Sequence, residues 1–230
     1  MRTAAVLPVK RFVRAKQRLG ASVAERLRRE LAGAMVADVR EALSETPSIE
    51  LTVLVTSQPE LLREATAGTL VVEDTAEAGQ SAAATLGIAR ALQEGFERVL
   101  CVPGDCPALD PGELERLLAG AQDPQEPAGA RGGARVVGIP DRHGTGTNGL
   151  LLCPPDAIAP SFGPGSFARH RTLALAAGAD WRVQRPSSLL LDIDTGADLQ
   201  VLRERLAATD ARAPKTRAAL AQAQPGRVAS

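Results

Sequence analysis

Short apolar segments alternate with longer amphipathic ones along most of this 230-residue chain. Residues Thr3–Val9 and Leu51–Val55 are nearly continuous apolar runs, as is typical of strands that are covered on both faces of a parallel sheet. Between them, apolar residues recur at helical spacing from 23 to 35, behind a capping-box pattern at Ser22–Glu25. The first third of the chain therefore predicts a strand–helix–strand unit.

The same alternation continues downstream. Further strands are predicted at 69–72, 99–102, 136–139, 149–153 and 189–191, and helices at 82–92, from 110, from about 166 and from 195 to 206. Repeated strand–helix units predict an α/β fold, with a three-layer, mostly parallel sheet and right-handed crossovers. We expect one domain over residues 1–207. Residues 208–230 are rich in Ala, Arg, Gln and Pro and have no clear apolar period, so they predict a flexible C-terminal tail.

Composition narrows the class of protein. Hydrophobic residues make up 44% of the chain but aromatic residues only 2%, so the predicted core is aliphatic. The 27 basic and 27 acidic residues balance, which argues against a nucleic-acid partner held by bulk positive charge. The sequence has no apolar run near the roughly 20 residues of a membrane span, and its three cysteines form no metal-binding or disulfide pattern. We therefore expect a cytoplasmic protein with no membrane partner.

A cationic loop follows the first predicted strand. It contains Lys10, Arg11, Arg14, Lys16 and Arg18, and no glycine before Gly20. The loop thus lacks both the G-x-G-x-x-G pattern of dinucleotide folds and the phosphate-binding P-loop. Open α/β sheets bind ligands at the carboxyl ends of their strands. These observations predict an anionic ligand that is held mainly by side-chain charge.

Acidic residues follow two of the predicted strands. Asp105 lies in a Pro-Gly-Asp-Cys-Pro turn after the strand at 99–102, and Asp192 and Asp194 follow the strand at 189–191. Because Mg²⁺ is commonly held by one or two carboxylates plus substrate phosphates, these residues predict a Mg²⁺ site. The alternative is that Asp105 caps a turn and Asp194 caps the last helix. The pattern leaves open whether Asp192 or Asp194 is the ligand.

Two glycine-rich segments are candidate anion sites. In the segment 143–149, three glycines allow backbone N–H groups to turn towards an anion, and the threonine hydroxyls and Asn148 add donors. In the segment 162–170, Gly165 and Ser166 stand at a predicted helix N-terminus, where the first N–H groups lack helical partners. A plain hairpin and a plain N-cap are the alternatives. His143 and His170 are candidate acid–base groups or ordinary satisfied residues.

No nucleophile motif is present, and a direct in-line displacement at phosphorus requires none. At this point several segments together resemble the 2-phospho-L-lactate / phosphoenolpyruvate guanylyltransferase family of coenzyme F420 biosynthesis. The segments are Pro8-Val9-Lys10 with Ala15-Lys16-x-Arg18-Leu19, Pro103–Pro107, Asp141-x-x-Gly-Thr-Gly-Thr-Asn148, Phe162-Gly-x-Gly-Ser-Phe-x-x-His170 and Asp192–Thr195. The resemblance implies a nucleotidyltransferase fold, Rossmann-like and GT-A-like. It also implies transfer of GMP from GTP to a three-carbon phospho-acid, with release of pyrophosphate.

The resemblance also implies residue roles. Lys10 and Lys16 would hold the GTP phosphates and the leaving pyrophosphate. Asp105 and Asp192, with Asp194 assisting, would hold Mg²⁺. The acceptor would bind at Thr147, Gly165 and Ser166. The nucleotide would also contact Gly79 and Ser81, in a Gly-Gln-Ser segment where family members usually show Gly-Leu-Asn.

Three acceptors stay open on the sequence: phosphoenolpyruvate, 2-phospholactate and 3-phosphoglycerate. Two other functions also remain open. One is a nucleotidyltransferase for a molybdopterin or a sugar phosphate, although those relatives carry a glycine-rich first loop that is missing here. The other is a non-catalytic GTP-binding regulatory module, against which the acidic strand ends argue. A homodimer would be common for such a fold.

Overall fold

The computed structural model describes residues 1–14, 19, 24–120, 133–208 and 212–222. In this part of the chain, seven strands form one sheet: Thr3–Val9 (β1), Leu51–Thr56 (β2), Thr69–Glu73 (β3), Arg98–Cys101 (β4), Arg135–Pro140 (β5), Thr147–Cys153 (β6) and Asp180–Val183 (β7). Their order is β3-β2-β1-β4-β6-β5-β7. The strands β1 to β4 are mutually parallel, whereas β6 is antiparallel to both β4 and β5. The predicted α/β fold with a mostly parallel sheet is confirmed.

Six α-helices accompany the strands in the described residues: Glu25–Ser44 (α1), Gln80–Gln93 (α2), Pro111–Gly120 (α3), Ser166–Ala176 (α4), Gly196–Ala208 (α5) and Pro214–Gln222 (α6). Two of the predicted helix starts are confirmed by their caps. The Asp110 carboxylate accepts the Glu113 N–H at 2.7 Å, and Thr195 and Asp198 form a reciprocal capping box at the start of α5.

Alternation along the strands produces the three layers. In β1, Ala5 and Leu7 face a core formed with α1 and α3, while Ala4 and Val6 face a second core formed with α2 and α4. Both sets are fully buried, because successive side chains of a strand point to opposite faces of the sheet. The near-continuous apolar runs of the sequence follow from this double coverage.

The predicted strand at 189–191 is wrong. These residues form a turn and an irregular segment, and the last strand in the described part of the chain is β7, from Asp180 to Val183. Leu189 and Leu191 are apolar because they enter two different core clusters, not because they form a ladder with a neighbouring strand. Asp192 and Asp194 therefore lie in an irregular segment and do not follow a strand.

The prediction of a flexible tail from residue 208 is wrong for Pro214–Gln222, which form α6. The cap of this helix is far away in sequence. The Asp38 carboxylate, in α1, accepts the backbone N–H groups of Lys215 and Thr216 at 3.0 and 2.7 Å. Leu220 is buried against the same part of the molecule.

Helix α1 begins at Glu25 with Ala24 as its N-cap and no side-chain cap. Ser22 and Val23 of the predicted capping box lie outside the described residues. Among the described residues no helix is both long and apolar enough to span a bilayer. The cytoplasmic location and the homodimer remain predictions.

Candidate active site

The strand directions bring the candidate residues to one edge of the sheet. Lys10 follows β1 and Asp105 follows β4, so both lie at carboxyl ends of parallel strands. Because β6 is antiparallel to β4, its first residues, Thr147 and Asn148, reach the same edge. A cleft of about 400 Å³ opens there, lined by Lys10, Gln80, Pro103, Asp105, Asp141, Thr145, Gly146, Thr147, Asn148, Gly163, Pro164, Ser166, Asp192 and Asp194.

The three predicted metal-binding aspartates all line this cleft. The Ile193 N–H donates to the Asp105 carbonyl at 3.0 Å, which joins the two acidic segments through their backbones. Leu191 and Ile193 are buried in an apolar cluster, and the aspartates that alternate with them line the cleft. The irregular segment thus presents Asp192 and Asp194 on one side.

The charges of the other two aspartates act on Asp192. Burial raises the pKa of the Asp192 carboxyl above its ordinary value, and the charges of Asp105 and, more weakly, Asp194 raise it further. Asn148 opposes this effect, since its Nδ2 donates to Asp192 Oδ1 at 3.1 Å and to the Leu189 carbonyl at 2.8 Å. The sequence suggested Asn148 as an anion donor, but its amide instead holds a carboxylate of the protein.

The carboxylate oxygens of these three aspartates suit a divalent cation. Within the described ranges, no three His, Cys, Asp or Glu side chains form a ready-made metal cluster. Mg²⁺ does not need one, because it is bound through one or two carboxylates together with substrate phosphates and water. The carboxylate of Asp192, whose ionisation the charges of Asp105 and Asp194 oppose, lines the same cleft as Lys10, which fits a hard divalent ion bound with a phosphate ligand.

The glycine-threonine hairpin does not direct the predicted N–H groups at the cleft. The N–H groups of Thr145 and Gly146 donate to the two carboxylate oxygens of Asp141 at 3.0 and 2.9 Å, and the Gly144 N–H donates to the Asp141 carbonyl. These amides bind the protein's own aspartate, in the manner of an Asx turn. The sequence did not predict that Asp141 lines the cleft and holds the hairpin, although an aspartate shortly before two glycines is a turn signal.

The N-terminus of α4 also differs from the prediction. Gly165 is the N-cap with a left-handed φ of 70°, and it is not among the residues that line the cleft. The N–H groups of Ser166 and Phe167 are not open to an anion, since they donate to the carbonyls of Gly163 and Thr145. Ser166 and Thr147 both line the cleft, and their hydroxyl oxygens are 3.1 Å apart.

His170 lies behind these hydroxyls and is fully buried. Its Nδ1 is 3.0 Å from Thr147 Oγ1, and its Nε2 accepts the Ser161 N–H at 2.8 Å. The other candidate histidine, His143, is exposed on the hairpin and accepts from the Arg142 guanidinium. His170 is therefore part of the site structure but does not line the cleft, and His143 lies outside both.

A second cavity of about 330 Å³ adjoins the cleft and shares Lys10 and Asp105 with it. Its other walls include Ser57, Asp74, Glu77 and Gly79. Gly79 is the N-cap of α2 with φ 104°, a conformation that favours glycine.

The remaining predicted nucleotide contacts fall elsewhere. The Ser81 hydroxyl accepts the Phe162 N–H at 2.8 Å, so it joins α2 to the loop before α4, and Ser81 is not among the residues that line the second cavity. Lys16 lies outside the described residues.

The fold is shared with known nucleotide-handling proteins. A putative nucleotide-diphospho-sugar transferase from Desulfovibrio desulfuricans superposes with a TM-score of 0.72 at 16% identity, covering 96% of this chain and 95% of that one. A CMP:2-keto-3-deoxy-manno-octonic acid synthetase superposes with a TM-score of 0.54 at 13% identity, covering 90% and 99%. At these identities the likeness shows the fold alone. The sheet topology together with these neighbours defines the class: the protein has a nucleotidyltransferase fold.

Sequence comparison identifies the family. The model of the guanylyl transferase CofC-like family matches residues 3–203. The phosphoenolpyruvate guanylyltransferase of Conexibacter woesei is 44% identical over 223 residues, covering 96% of both chains. That of Sphaerobacter thermophilus is 38% identical over 202 residues, covering 88% of this chain and 93% of its own. The chain belongs to the CofC-like guanylyltransferase family, so the family expected from the sequence motifs is confirmed and the protein is a nucleotidyltransferase.

Proposed function

We propose that this enzyme transfers GMP from GTP to a three-carbon phospho-acid, with phosphoenolpyruvate as the first candidate, and releases pyrophosphate. The product would be the activated phosphodiester precursor in coenzyme F420 biosynthesis. One observation supports this most directly. A single cleft contains Lys10, the three aspartates that were predicted to bind metal, and the bonded hydroxyl pair of Thr147 and Ser166. These groups suit a triphosphate, a divalent cation and an anionic acceptor respectively. The names of the curated relatives support phosphoenolpyruvate over a molybdopterin or sugar phosphate.

The proposed roles follow from charge and position. Lys10, with Lys16, neutralises negative charge on the triphosphate and on the departing pyrophosphate. The hydroxyls of Thr147 and Ser166, beside Gly165, hold the acceptor. An oxygen of the acceptor phosphate then attacks the α-phosphorus in line as the bond to pyrophosphate breaks, so that one P–O bond forms and one is lost. Positioning and charge neutralisation provide most of the rate enhancement in such a reaction.

Asp105 and Asp192, with Asp194 assisting, would hold Mg²⁺ in this proposal. When bound, Mg²⁺ supplies a positive charge that stabilises the phosphate oxygens. The guanosine part of GTP would occupy the second cavity, because that cavity shares Lys10 and Asp105 with the cleft and has Gly79 in its wall. The role predicted for Ser81 would then be indirect, through the loop that follows Pro160.

The first test is pyrophosphate release from GTP and Mg²⁺. Phosphoenolpyruvate, 2-phospholactate and 3-phosphoglycerate are supplied one at a time, beside a blank without acceptor. Release that depends on one acid would support the reaction and name the acceptor. No release with any acid, while GTP still protects the protein against heating, would contradict the proposal and favour another acceptor or a regulatory module.

The matched variant is Asp105→Asn, with the exposed Asp156→Asn as its control. We expect D105N to lower turnover roughly 10²–10³-fold, the order found for loss of one preorganised electrostatic contact. The D156N enzyme should keep the wild-type rate, since its carboxylate lies outside the cleft. Near-normal turnover of D105N would contradict the proposed role of Asp105 in the active site.

A further inference from the structure

Four groups form a hydrogen-bond chain behind the acceptor side of the cleft. It runs from the Ser161 N–H to His170, from His170 to the Thr147 hydroxyl, and from there to the Ser166 hydroxyl, with lengths of 2.8, 3.0 and 3.1 Å. Residues 147, 166 and 170 are 7%, 1% and 0% exposed, so bulk water does not compete for these bonds. Of the four residues in this chain, Thr147 and Ser166 line the cleft, whereas Ser161 and His170 do not.

The first bond fixes the tautomer of the histidine. A backbone N–H can only donate, so Nε2 of His170 must carry a lone pair. Burial, together with the nearby charge of Arg169, lowers the pKa of His170 to about 4, so the ring is neutral near neutral pH. A neutral imidazole that accepts at Nε2 has its proton on Nδ1. His170 therefore donates to Thr147 Oγ1.

The direction of the bond between His170 and Thr147 determines whether the two hydroxyls keep an O–H that can donate to a ligand. Thr147 and Ser166 together have two O–H protons, and the bond between them uses one. Because Nδ1 donates, His170 cannot take up the other proton. Among the described residues no further contact of either hydroxyl is seen, so one O–H is left to point into the cleft. With the opposite tautomer, both protons would be used inside the protein, and the cleft would face only lone pairs.

We infer that His170 is a positioning residue that sets the direction of this chain, so that the Thr147–Ser166 pair donates an O–H to the phosphate or carboxylate of the acceptor. The inference rests on the proposed function for the identity of the ligand, and it goes beyond it by giving the buried histidine a role. It also explains why the pair can bind an anion although the N–H groups of Ser166 and Phe167 already have partners.

The tautomer can be measured on the protein without altering His170. The chain has two histidines, so His143→Gln leaves one imidazole to observe by ¹⁵N NMR of histidine-labelled protein. We expect shifts of a neutral ring protonated on Nδ1, unchanged across the neutral pH range. A ring protonated on Nε2, or a charged ring near neutral pH, would overturn the inference whatever the enzyme's substrate proves to be.

The functional test compares His170→Leu with His170→Asn. Both variants lose the bond to Ser161, but the Asn amide can take the place of Nδ1 and donate to Thr147. We expect H170L to raise the KM for the acceptor roughly two- to tenfold, the order of one net hydrogen bond, because the free O–H of the pair is no longer held in one direction, with the KM for GTP unchanged. H170N should recover most of this loss.

Equal effects of the two variants, or equal loss of affinity for acceptor and GTP, would mean that His170 is only structural. Thermal unfolding of both variants shows whether they are equally folded. If the wild-type enzyme uses none of the phospho-acids, the proposed function fails, and the same pair of variants is then compared by calorimetric binding of phosphoenolpyruvate. Binding that is weakened by Leu and restored by Asn would still support the role of His170, whereas no difference would contradict it.

Discussion

At the scale of single residues, the site is built by side chains that hold other side chains. Asn148 donates both to Asp192 and to the Leu189 carbonyl, so it fixes an acidic side chain and the backbone that carries it. Asp141 holds the hairpin by accepting two of its N–H groups. In the proposed reaction, side chains held in this way would need little reorganisation when charge develops.

Replacing Asn148 by Ala should weaken the proposed Mg²⁺ site without removing a ligand from it. The Asp192 carboxylate would lose the donor that opposes its repulsion from Asp105, and the Leu189 carbonyl would lose a buried partner. We expect the Mg²⁺ concentration for half-maximal pyrophosphate release to rise roughly tenfold, at the lower end of outer-shell effects. Gln200→Ala, which removes an exposed amide bound to Glu204, is the control. An unchanged Mg²⁺ dependence of N148A would count against this role.

At the scale of elements, strand direction and close packing place the site. The antiparallel β6 brings its first residues to the edge where the parallel strands end, which no parallel strand in that position could do. Helix α2 approaches the sheet through Gly87, where an added Cβ would lie 2.4 Å from Val6 Cγ1 and 3.0 Å from Val55 Cγ2. This approach puts Gly79, at the start of the helix, in the wall of the second cavity.

The Gly87→Ala variant should therefore be less stable, although alanine is the better helix former. We expect crowding against Val6 to cost about 1–3 kcal/mol, more than the roughly 1 kcal/mol of helix propensity gained. Gly33→Ala in α1 is the matched control, because its Cβ would meet Phe12 at an ordinary 3.5 Å and should stabilise the protein. Urea unfolding of both variants measures the difference. A G87A variant as stable as G33A would show that α2 can move away from the sheet at little cost.

At the scale of the whole molecule, the sequence predicts what depends on local pattern and misses what depends on distant contacts. The doubly covered strands were predictable because each residue of a run such as Ala4–Leu7 faces one of two cores. The run at 189–191 is also continuously apolar, but Leu189 and Leu191 enter separate clusters, which periodicity cannot distinguish. The direction of the hairpin amides and the tautomer of His170 depend on partners set by the fold, so they could not be predicted from the glycine pattern.

Helix α6 gives the clearest case of long-range dependence, and its removal is the corresponding prediction. Ending the chain after Arg212 should destabilise the protein by roughly 3–6 kcal/mol, because the buried Leu220 is lost and the buried Asp38 carboxylate loses two N–H donors. Turnover should fall as well, since Leu220 shares an apolar cluster with Leu191 and Ile193, which flank Asp192.

Ending the chain after Gln222 instead is the control, because it removes only the segment beyond α6. Denaturant unfolding and pyrophosphate release of the two truncated proteins should separate the helix from the segment that follows it. If the chain that ends at Arg212 is as stable and as active as the chain that ends at Gln222, α6 does not support the acidic segment. If only the protein that lacks α6 loses stability and turnover, then α6 supports the active site through Asp38 and the apolar cluster, although none of its residues lines the cleft.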